Sequence, residues 1–135
     1  MTKNSEKFLE ENLKSLEKQT YRNFEHIIID GKSEDKTLEI INQNKNKIYY
    51  WKSEKDHGLY DAMNKGIGVA TGEIIGILNS DDVYYPEALS IVNKYFSSNP
   101  DIDFLFGSVH KHKLMSGFYP EKIKWTFGFY TTHSV

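Results

Sequence analysis

Asp81 and Asp82 are the residues of this sequence whose chemistry is easiest to interpret, because they follow a short apolar run at residues 74–78. A continuous apolar run bounded by turn residues is typical of a buried strand in a parallel sheet. In open α/β sheets, ligands bind outside the carboxyl ends of the strands. Two neighbouring acids at such a place repel each other unless they share a cation, and carboxylate oxygens suit Mg²⁺ or Mn²⁺. The pattern therefore predicts a divalent-metal site, which would in turn suit a diphosphate.

Asp30 ends a second apolar run, at residues 24–30, that is rich in β-branched side chains. A carboxylate at the carboxyl end of a strand can accept hydrogen bonds from the N–H of a nucleobase or from a ribose hydroxyl. Ser33 and Asp35 follow closely, and we interpret both as loop and helix-capping residues. For Asp30 the strand position favours contact with a ligand.

A polar loop at residues 53–58 leads into a helical pattern, with Gly58 at the junction. The N-terminus of a helix attracts anions. Asp61, Asn64 and Lys65 lie within one turn of each other, so only part of this set can face one ligand. Ordinary capping and a solvated helix face explain each of them individually as well as ligand binding does. We interpret His57, and the pair His110 and His112, as surface residues.

The composition indicates one globular domain, residues 1–135, of which 27% are charged and 39% apolar. The net charge of −2 does not favour a protein that binds nucleic acid by neutralising phosphates. The absence of cysteine excludes disulfides and thiolate metal sites. No apolar run in the sequence reaches the ~20 residues that a bilayer crossing needs.

Apolar spacing predicts alternating helices and strands, which is typical of a doubly wound, mostly parallel sheet with helices on both faces. We predict helices near residues 5–19, 35–41, 60–70 and 86–98, and strands near residues 24–30, 48–51, 74–78 and 102–109. Gly72 suits the C′ position of the third helix, and Pro86 suits the first turn of the fourth. Residues 123–130 have some strand character. Such a sheet normally opens with a strand, so we expect the first strand to be lacking and the chain to be a fragment of a longer protein.

Several segments together resemble the family 2 glycosyltransferases, which have a Rossmann-like fold called GT-A. The similarity covers residues 4–107, and its parts occur in the family's order and spacing. They are residues 15–21, 30–37, 58–67, 70–73 and 78–82.

The resemblance implies a role for individual residues. Asp82 is similar to the last acid of the family's DxD-type motif, which binds the divalent metal on the nucleotide diphosphate. Asp81 is similar to the acid nearer the ribose and the donor sugar. Asp30 resembles the acid that contacts the nucleotide base. Gly58 and Asn64 resemble residues that line the nucleotide.

The sequence departs from the family pattern at three places. Asn79 replaces the Asp that many members carry first in the DxD-type motif, which leaves one fewer negative charge. Gly31 stands where many members have a second acid. The family's general base lies in the acceptor-binding half, which we expect beyond Val135. Within the chain, three acids are candidates by position only: Asp101, Asp103 and Glu121.

The resemblance implies an inverting transferase that moves a sugar from a nucleotide-diphosphate sugar to an acceptor hydroxyl, with Mg²⁺ or Mn²⁺ as cofactor. The acceptor would be a sugar or a lipid-linked group, and the usual setting is bacterial surface polysaccharide synthesis. We accordingly expect a cytoplasmic protein, peripheral at the inner face of the cytoplasmic membrane, that binds no nucleic acid.

Two other hypotheses stay open. The first is a nucleotide-sugar-binding fragment without transfer activity. The second, ranked last, is a doubly wound domain such as a signalling receiver, which gives no reason for the pattern at residues 58–66.

Overall fold

The structure is a computed structural model that describes residues 1–107 and the strand at residues 128–131. Residues His110, His112 and Glu121 lie outside the described part. The helices are α1 (Leu9–Glu17), α2 (Thr37–Gln43), α3 (Leu59–Ile67) and α4 (Ala88–Ser98), with a 3₁₀ turn at Lys45–Lys47. The strands are β1 (Ile27–Asp30), β2 (Tyr50–Ser53), β3 (Ile74–Gly76), β4 (Phe104–Phe106) and β5 (Gly128–Thr131).

The described strands form two sheets. Strands β1 and β2 are parallel, with Ile27 opposite Tyr50 and Asp30 opposite Ser53. In the other sheet β5 lies between β3 and β4 and is antiparallel to both. Because both neighbours oppose β5, β3 and β4 run in the same direction. The α/β class and its parallel strands are confirmed, and β5 supplies an antiparallel element that the sequence pattern indicated only as strand character.

Helices pack on both faces of β1, as predicted. Ile28 is buried in a cluster whose other buried members come from α1, from α2 and from the residues just before β2: Leu9, Leu13, Ile40, Ile41 and Ile48. Successive strand residues point to opposite faces, so Ile29 faces the other way. There it meets α3, since a Cβ added to Gly66 would lie 3.7 Å from Ile29 Cγ1.

The first strand of the sheet was expected to be lacking, and Thr2 lies where such a strand would pair with β1. It forms a parallel bridge with Asp30. The Thr2 N–H donates to the Ile29 carbonyl (2.9 Å), and the Gly31 N–H donates to the Thr2 carbonyl (2.9 Å). A cavity of about 720 Å³ lies next to this bridge, between β1 and residues 74–78, with α1 and α3 as its walls. Among the described residues, this bridge is the only pairing of the N-terminal segment with β1.

Two residues that were predicted to mark helix boundaries, Gly72 and Pro86, do not mark them. Helix α3 ends at Ile67 with Gly68 at its C-cap, so Gly72 does not end it. Gly66 and Gly68 are weak helix formers, which explains the earlier end. Helix α4 begins at Ala88, two residues after Pro86. At 11 residues it is the longest described helix, and none of the described helices has the length and apolar content of a bilayer-spanning segment.

Candidate functional site

The two acids lie in a tight turn that follows β3. The Asp82 N–H donates to the Asn79 carbonyl (3.1 Å), and the Asn79 Nδ2 donates to Asp82 Oδ2 (3.1 Å). Asp81 is exposed and Asp82 is half-buried. The turn therefore fixes one Asp82 oxygen and presents the Asp81 carboxylate to solvent.

Helix α1 and the segment before it hold this acidic turn in place. The Asn12 Nδ2 donates to two carbonyls of the turn, that of Asn79 (2.9 Å) and that of Asp82 (2.7 Å). The hydroxyls of Ser5 and Ser80 are hydrogen-bonded at 2.7 Å. Neither Asn12 nor Ser5 was identified from the sequence as part of the site. The signal for Asn12 was a polar residue within the apolar stripe of an otherwise amphipathic helix.

Three further hydrogen bonds, from α1 and the residues just after it, hold the chain that leaves the acidic turn. Gln19 is fully buried. Its Nε2 donates to the Tyr85 carbonyl (2.8 Å), and its Oε1 accepts the Leu89 N–H (3.1 Å). Ser15 Oγ accepts the Tyr84 N–H (3.3 Å). These bonds give a structural reason for the polar residues at 15–21, which the resemblance singled out without explaining.

The acidic turn carries negative charge that no cation of the described chain offsets. No lysine or arginine in residues 1–107 forms an ion pair with Asp81 or Asp82. Burial raises the pKa of Asp82, and the Asp81 carboxylate raises it further, against the opposing hydrogen bond from Asn79. An uncompensated and partly desolvated carboxylate beside a second one fits a divalent cation. Within the described residues no group of three or more acids and histidines surrounds such a point. Of the described residues, a metal there would have only these two acids, and Mg²⁺ commonly completes its coordination with phosphate oxygens and water.

Asp30 is fully buried at the carboxyl end of β1. Its Oδ1 accepts the Ser33 hydroxyl (2.5 Å), and its Oδ2 accepts both the Ser33 N–H (2.9 Å) and the Ser53 hydroxyl (2.6 Å). The carboxylate thus joins the end of β1 to the following loop and to the end of β2. The predicted contact between Asp30 and a nucleobase stays a prediction, and it would require the fully buried carboxylate to become accessible.

Ser33 and Asp35 serve the loop after β1, in line with their interpretation as local structural residues. Ser33 accepts the Asn4 N–H (2.8 Å). Asp35 Oδ1 accepts the N–H of Thr37 (3.0 Å), and its Oδ2 accepts that of Glu6 (3.1 Å). These bonds tie the loop to the segment before α1, so the carboxyl end of β1 and the start of α1 are held next to each other.

Two of the three polar residues singled out on α3 belong to a charged network that runs from its first turn to its last. Lys65 Nζ lies 2.9 Å from Asp61 Oδ2 and 3.0 Å from Glu54 Oε1. Asp61 also accepts the His57 N–H (3.0 Å), and Lys65 is the main reason that the pKa of Asp61 is lowered. Asp61 and Lys65 are therefore explained by capping and pairing, without a ligand.

Gly58 and Asn64 are both exposed on the same helix. Gly58 has φ +110°, a conformation that favours glycine, and it opens the first turn of α3. A Cβ at this position would meet nothing within 4 Å, so the space beside it is open. The Asn64 side chain makes no hydrogen bond to any described residue. Both predicted nucleotide-lining residues thus border free space.

The family model described as "Glycosyl transferase family 2" matches residues 1–134. An uncharacterised glycosyltransferase of Methanocaldococcus jannaschii is 35% identical over 127 residues, which are 88% of this chain and 44% of that protein. A PGL/p-HBAD biosynthesis glycosyltransferase of Mycobacterium tuberculosis is 35% identical over 101 residues, covering 72% of this chain and 40% of that protein. The chain therefore spans less than half the length of these curated relatives.

Solved structures show the same fold. S. aureus TarS 1–349 in complex with UDP-GlcNAc superposes with a TM-score of 0.73 at 28% identity, over 85% of this chain and 35% of that chain. The mannosyltransferase PcManGT of Pyrobaculum calidifontis, in complex with GDP-Man and Mn²⁺, gives a TM-score of 0.69 at 23% identity, over 76% and 32% respectively. The ordered motifs, the fold and the family match agree, and this chain belongs to glycosyl transferase family 2.

Proposed function

We propose that this chain forms the donor-binding part of a metal-dependent, inverting glycosyltransferase that uses a nucleotide-diphosphate sugar. The observation that carries the proposal is the pair Asp81 and Asp82. It lies in a turn fixed by Asn12 at the end of β3, with no described cation to offset its charge. A metal-bound diphosphate is the ligand whose charge suits such a pair.

Each predicted site residue has a place in this proposal. Asp82 would hold Mg²⁺ or Mn²⁺, and Asp81 would contact the sugar end of the donor. Gly58 and Asn64, which border open space, would line the nucleotide. Asp30 would shape the nucleoside end of the site, because it fixes the loop after β1 and the end of β2.

The reaction would be a single displacement in which an acceptor hydroxyl attacks the anomeric carbon and a carboxylate removes its proton. The metal, when bound, would supply Lewis-acid stabilisation of the departing diphosphate. Asp101 and Asp103 are exposed at the loop before β4, and we place neither of them at the donor turn. We assign the general base to a carboxylate outside residues 1–135.

The relatives support the donor and the setting. TarS, 28% identical, was solved in complex with UDP-GlcNAc, so a uridine diphosphate is the first probe to test. The mycobacterial relatives are named for PGL/p-HBAD biosynthesis. We therefore propose a sugar or lipid-linked acceptor in the synthesis of a cell-surface glycan or glycolipid, at the cytoplasmic face of the membrane.

A second candidate is a binding module that holds the nucleotide sugar without transferring it. The observation that favours it is that neither Asp101 nor Asp103, the described candidates for the general base, is placed at the donor turn. One experiment separates the two. UDP-GlcNAc binding is measured by calorimetry with Mg²⁺ or Mn²⁺, and release of free UDP, as the sugar passes to water or to added acceptor sugars, is followed by chromatography in the same samples.

We expect metal-dependent binding by the full chain. Binding with UDP release would support the enzyme, and binding without release would support the binding module. Absence of binding to UDP-GlcNAc, GDP-mannose and their free diphosphates would overturn the proposed function.

A further inference from the structure

We propose that the cavity between β1 and residues 74–78 is a slot that binds an extended apolar peptide from another polypeptide, paired in parallel with β1. The bound segment would be short and would end in a free carboxylate next to Met1. This inference goes beyond the proposed function and does not depend on it.

Two strand edges border the slot, and neither is paired there by a described strand. Strand β1 has β2 on one side, and β3 has β5 on one side. Residues 27–29 and 74–78 line the space between these edges. An unpaired edge presents a row of N–H and C=O groups that another extended chain can bind. The two edges therefore offer hydrogen bonds to one chain lying between them.

The Thr2 bridge gives the direction and the register of that chain. On the β2 side, the Asp30 carbonyl accepts the Glu54 N–H (3.0 Å), and on the cavity side the Ile29 carbonyl accepts the Thr2 N–H (2.9 Å). Successive residues of β1 thus bond to opposite sides, so the Ile27 carbonyl and the Ile29 N–H face the slot. Outside the β1–β2 pairing, no described residue bonds either group. A chain parallel to β1 would continue the Thr2 ladder through them.

The size of the slot fits a short strand. A residue in a packed strand occupies about 160 Å³, given a rise of about 3.3 Å, a strand spacing of about 4.8 Å and a layer spacing of about 10 Å. The cavity volume of about 720 Å³ therefore accommodates roughly four to five residues.

The walls of the slot favour apolar side chains on both faces of the bound strand. Leu9 and Leu16 of α1 line one face, and Ala62 and Met63 of α3 line the other. The apolar residues at 74–78 are only half-buried. Continuous apolar runs of this kind are typical of strands that are covered on both faces. A peptide that is apolar at every position would supply the remaining cover.

The end of the slot at Met1 suits a carboxylate. Met1 lines the cavity, and burial lowers the pKa of its amine because the charged form loses hydration. No acid in the described part of the chain forms an ion pair with this amine. A strand that runs parallel to β1 toward Thr2 brings its carboxyl end to the Met1 amine, where partial exclusion of water strengthens the attraction. The partner that fits is therefore a separate polypeptide with a free carboxyl end.

The test titrates the full chain into a fluorescein-labelled pentapeptide of alternating valine and isoleucine, with a free carboxylate, and follows fluorescence anisotropy. Binding should saturate at one peptide per chain. The same peptide with a C-terminal amide should bind roughly tenfold more weakly, because it loses a charge-assisted contact. A pentapeptide with N-methylated valines, which cannot pair with a strand edge, should not bind.

Two measurements on the protein locate the bound peptide. Amide hydrogen exchange, followed by NMR, should slow at Ile27 and Ile29, whereas Ile28, whose N–H faces β2, should not respond. Gly66→Leu should reduce peptide affinity roughly tenfold or more, because Gly66 lines the slot and the new side chain would fill it. Gly107→Leu, at an exposed glycine that does not line the slot, is the matched control and should bind as the wild type does.

Several results would overturn the inference. They are no saturable binding, equal affinities of the carboxylate and amide peptides, unchanged exchange at Ile27 and Ile29, or full affinity in a folded Gly66→Leu. If Gly66→Leu does not fold, the exchange pattern and the amide peptide decide. A chain that self-associates in sedimentation and is not dissociated by the peptide would show a second copy in the slot, which also overturns the inference.

A UDP titration of the same protein keeps the two proposals apart. A wild type that binds the peptide but no nucleoside diphosphate would overturn the proposed function and leave the strand-binding slot standing. A wild type that binds UDP but not the peptide would have the opposite meaning.

Discussion

Asp82 lies half-buried beside Asp81, and its environment disfavours its charge. Burial and the neighbouring carboxylate raise its pKa above the ordinary value for an aspartate. A group whose pKa is raised on folding makes the folded state less stable as pH rises from the ordinary pKa through the raised one. The raised pKa of Asp82 therefore lowers the stability of the folded state at neutral pH, and a bound cation would restore that stability.

This environment predicts the titration of Asp82. In a pH titration of carboxyl carbon resonances by NMR, Asp82 should have a pKa above its ordinary value, and addition of Mg²⁺ with UDP should lower it. The exposed Glu39 carboxylate serves as the internal reference and should not respond to the ligand. An Asp82 pKa that is unchanged by Mg²⁺ and UDP would contradict its role as the metal ligand.

Asp30 is predicted to matter for both stability and the nucleoside end of the site. Asp30→Ala leaves two serine hydroxyls and the Ser33 N–H without their acceptor. The free energy of unfolding, measured in urea, should therefore be about 2–4 kcal/mol lower than in the wild type. Affinity for uridine should fall along with affinity for UDP. Asp101→Ala, at an exposed acid, is the control. A loss confined to the diphosphate would contradict the assignment of Asp30 to the nucleoside end.

Residue types and strand ends could be predicted from the sequence, but the partners of each side chain could not. Asp30 ends β1 as predicted, because β-branched residues and a terminal acid mark a strand end. Its bond to Ser53 joins residues 23 apart, and the contact between Asp56 and Gly31 joins residues 25 apart. Such contacts depend on the register of β1 against β2, which no local pattern fixes.

Helix α1 is the element that positions the acidic turn. Its buried face carries Asn12 beside its leucines, Gln19 follows directly after its C-cap, and both side chains bond the segment that holds the acids. The sequence pattern predicted this helix as a core element only. Polar residues on a buried helix face are the sign that a helix also anchors a loop, because buried polar groups need partners.

Asn12→Ala should loosen the turn. The substitution removes the side-chain donor to both carbonyls, and the Asn79 carbonyl keeps only the Asp82 N–H, so the free energy of unfolding should fall by about 1–3 kcal/mol. UDP affinity in the presence of Mg²⁺ should fall as well. Asn42→Ala is the matched control, since Asn42 is exposed on α2 and bonds only within its own helix. Equal losses in the two variants would show that Asn12 has no special role at the turn.

Element types were easier to predict than element ends and pairings. Each predicted helix and each predicted strand has an observed counterpart at nearly the same place in the described chain. Strand β2 begins at Tyr50, two residues later than predicted, because a 3₁₀ turn at Lys45–Lys47 extends the connection. Strand β5 lies between β3 and β4, antiparallel to both, and so joins distant parts of the chain. Apolar periodicity is a local pattern and does not predict such a pairing.

Across the whole molecule, acid stability should be limited by His26 next to the cavity. Burial, with a smaller effect from the N-terminal charge, lowers the pKa of His26 to about 4. Between that value and the ordinary 6.5 the unfolded chain binds a proton that the folded chain does not, so stability should fall as pH drops from 6.5 to 4. His26→Phe should flatten this dependence when urea unfolding is compared at pH 7 and pH 5. The same slope in both proteins would exclude His26 as the cause.

The central claim is that the turn at residues 79–82 binds a nucleoside diphosphate through a metal held by Asp82. The most direct measurement is calorimetric titration of the full chain and of Asp82→Asn with UDP, each in Mg²⁺ and in EDTA. The wild type should bind at least about tenfold more tightly in Mg²⁺ than in EDTA. Asp82→Asn, which keeps an oxygen for Asn79 and loses only the charge, should show the weak affinity in both buffers. An Asp82→Asn variant that keeps the full Mg²⁺-dependent affinity would contradict the claim.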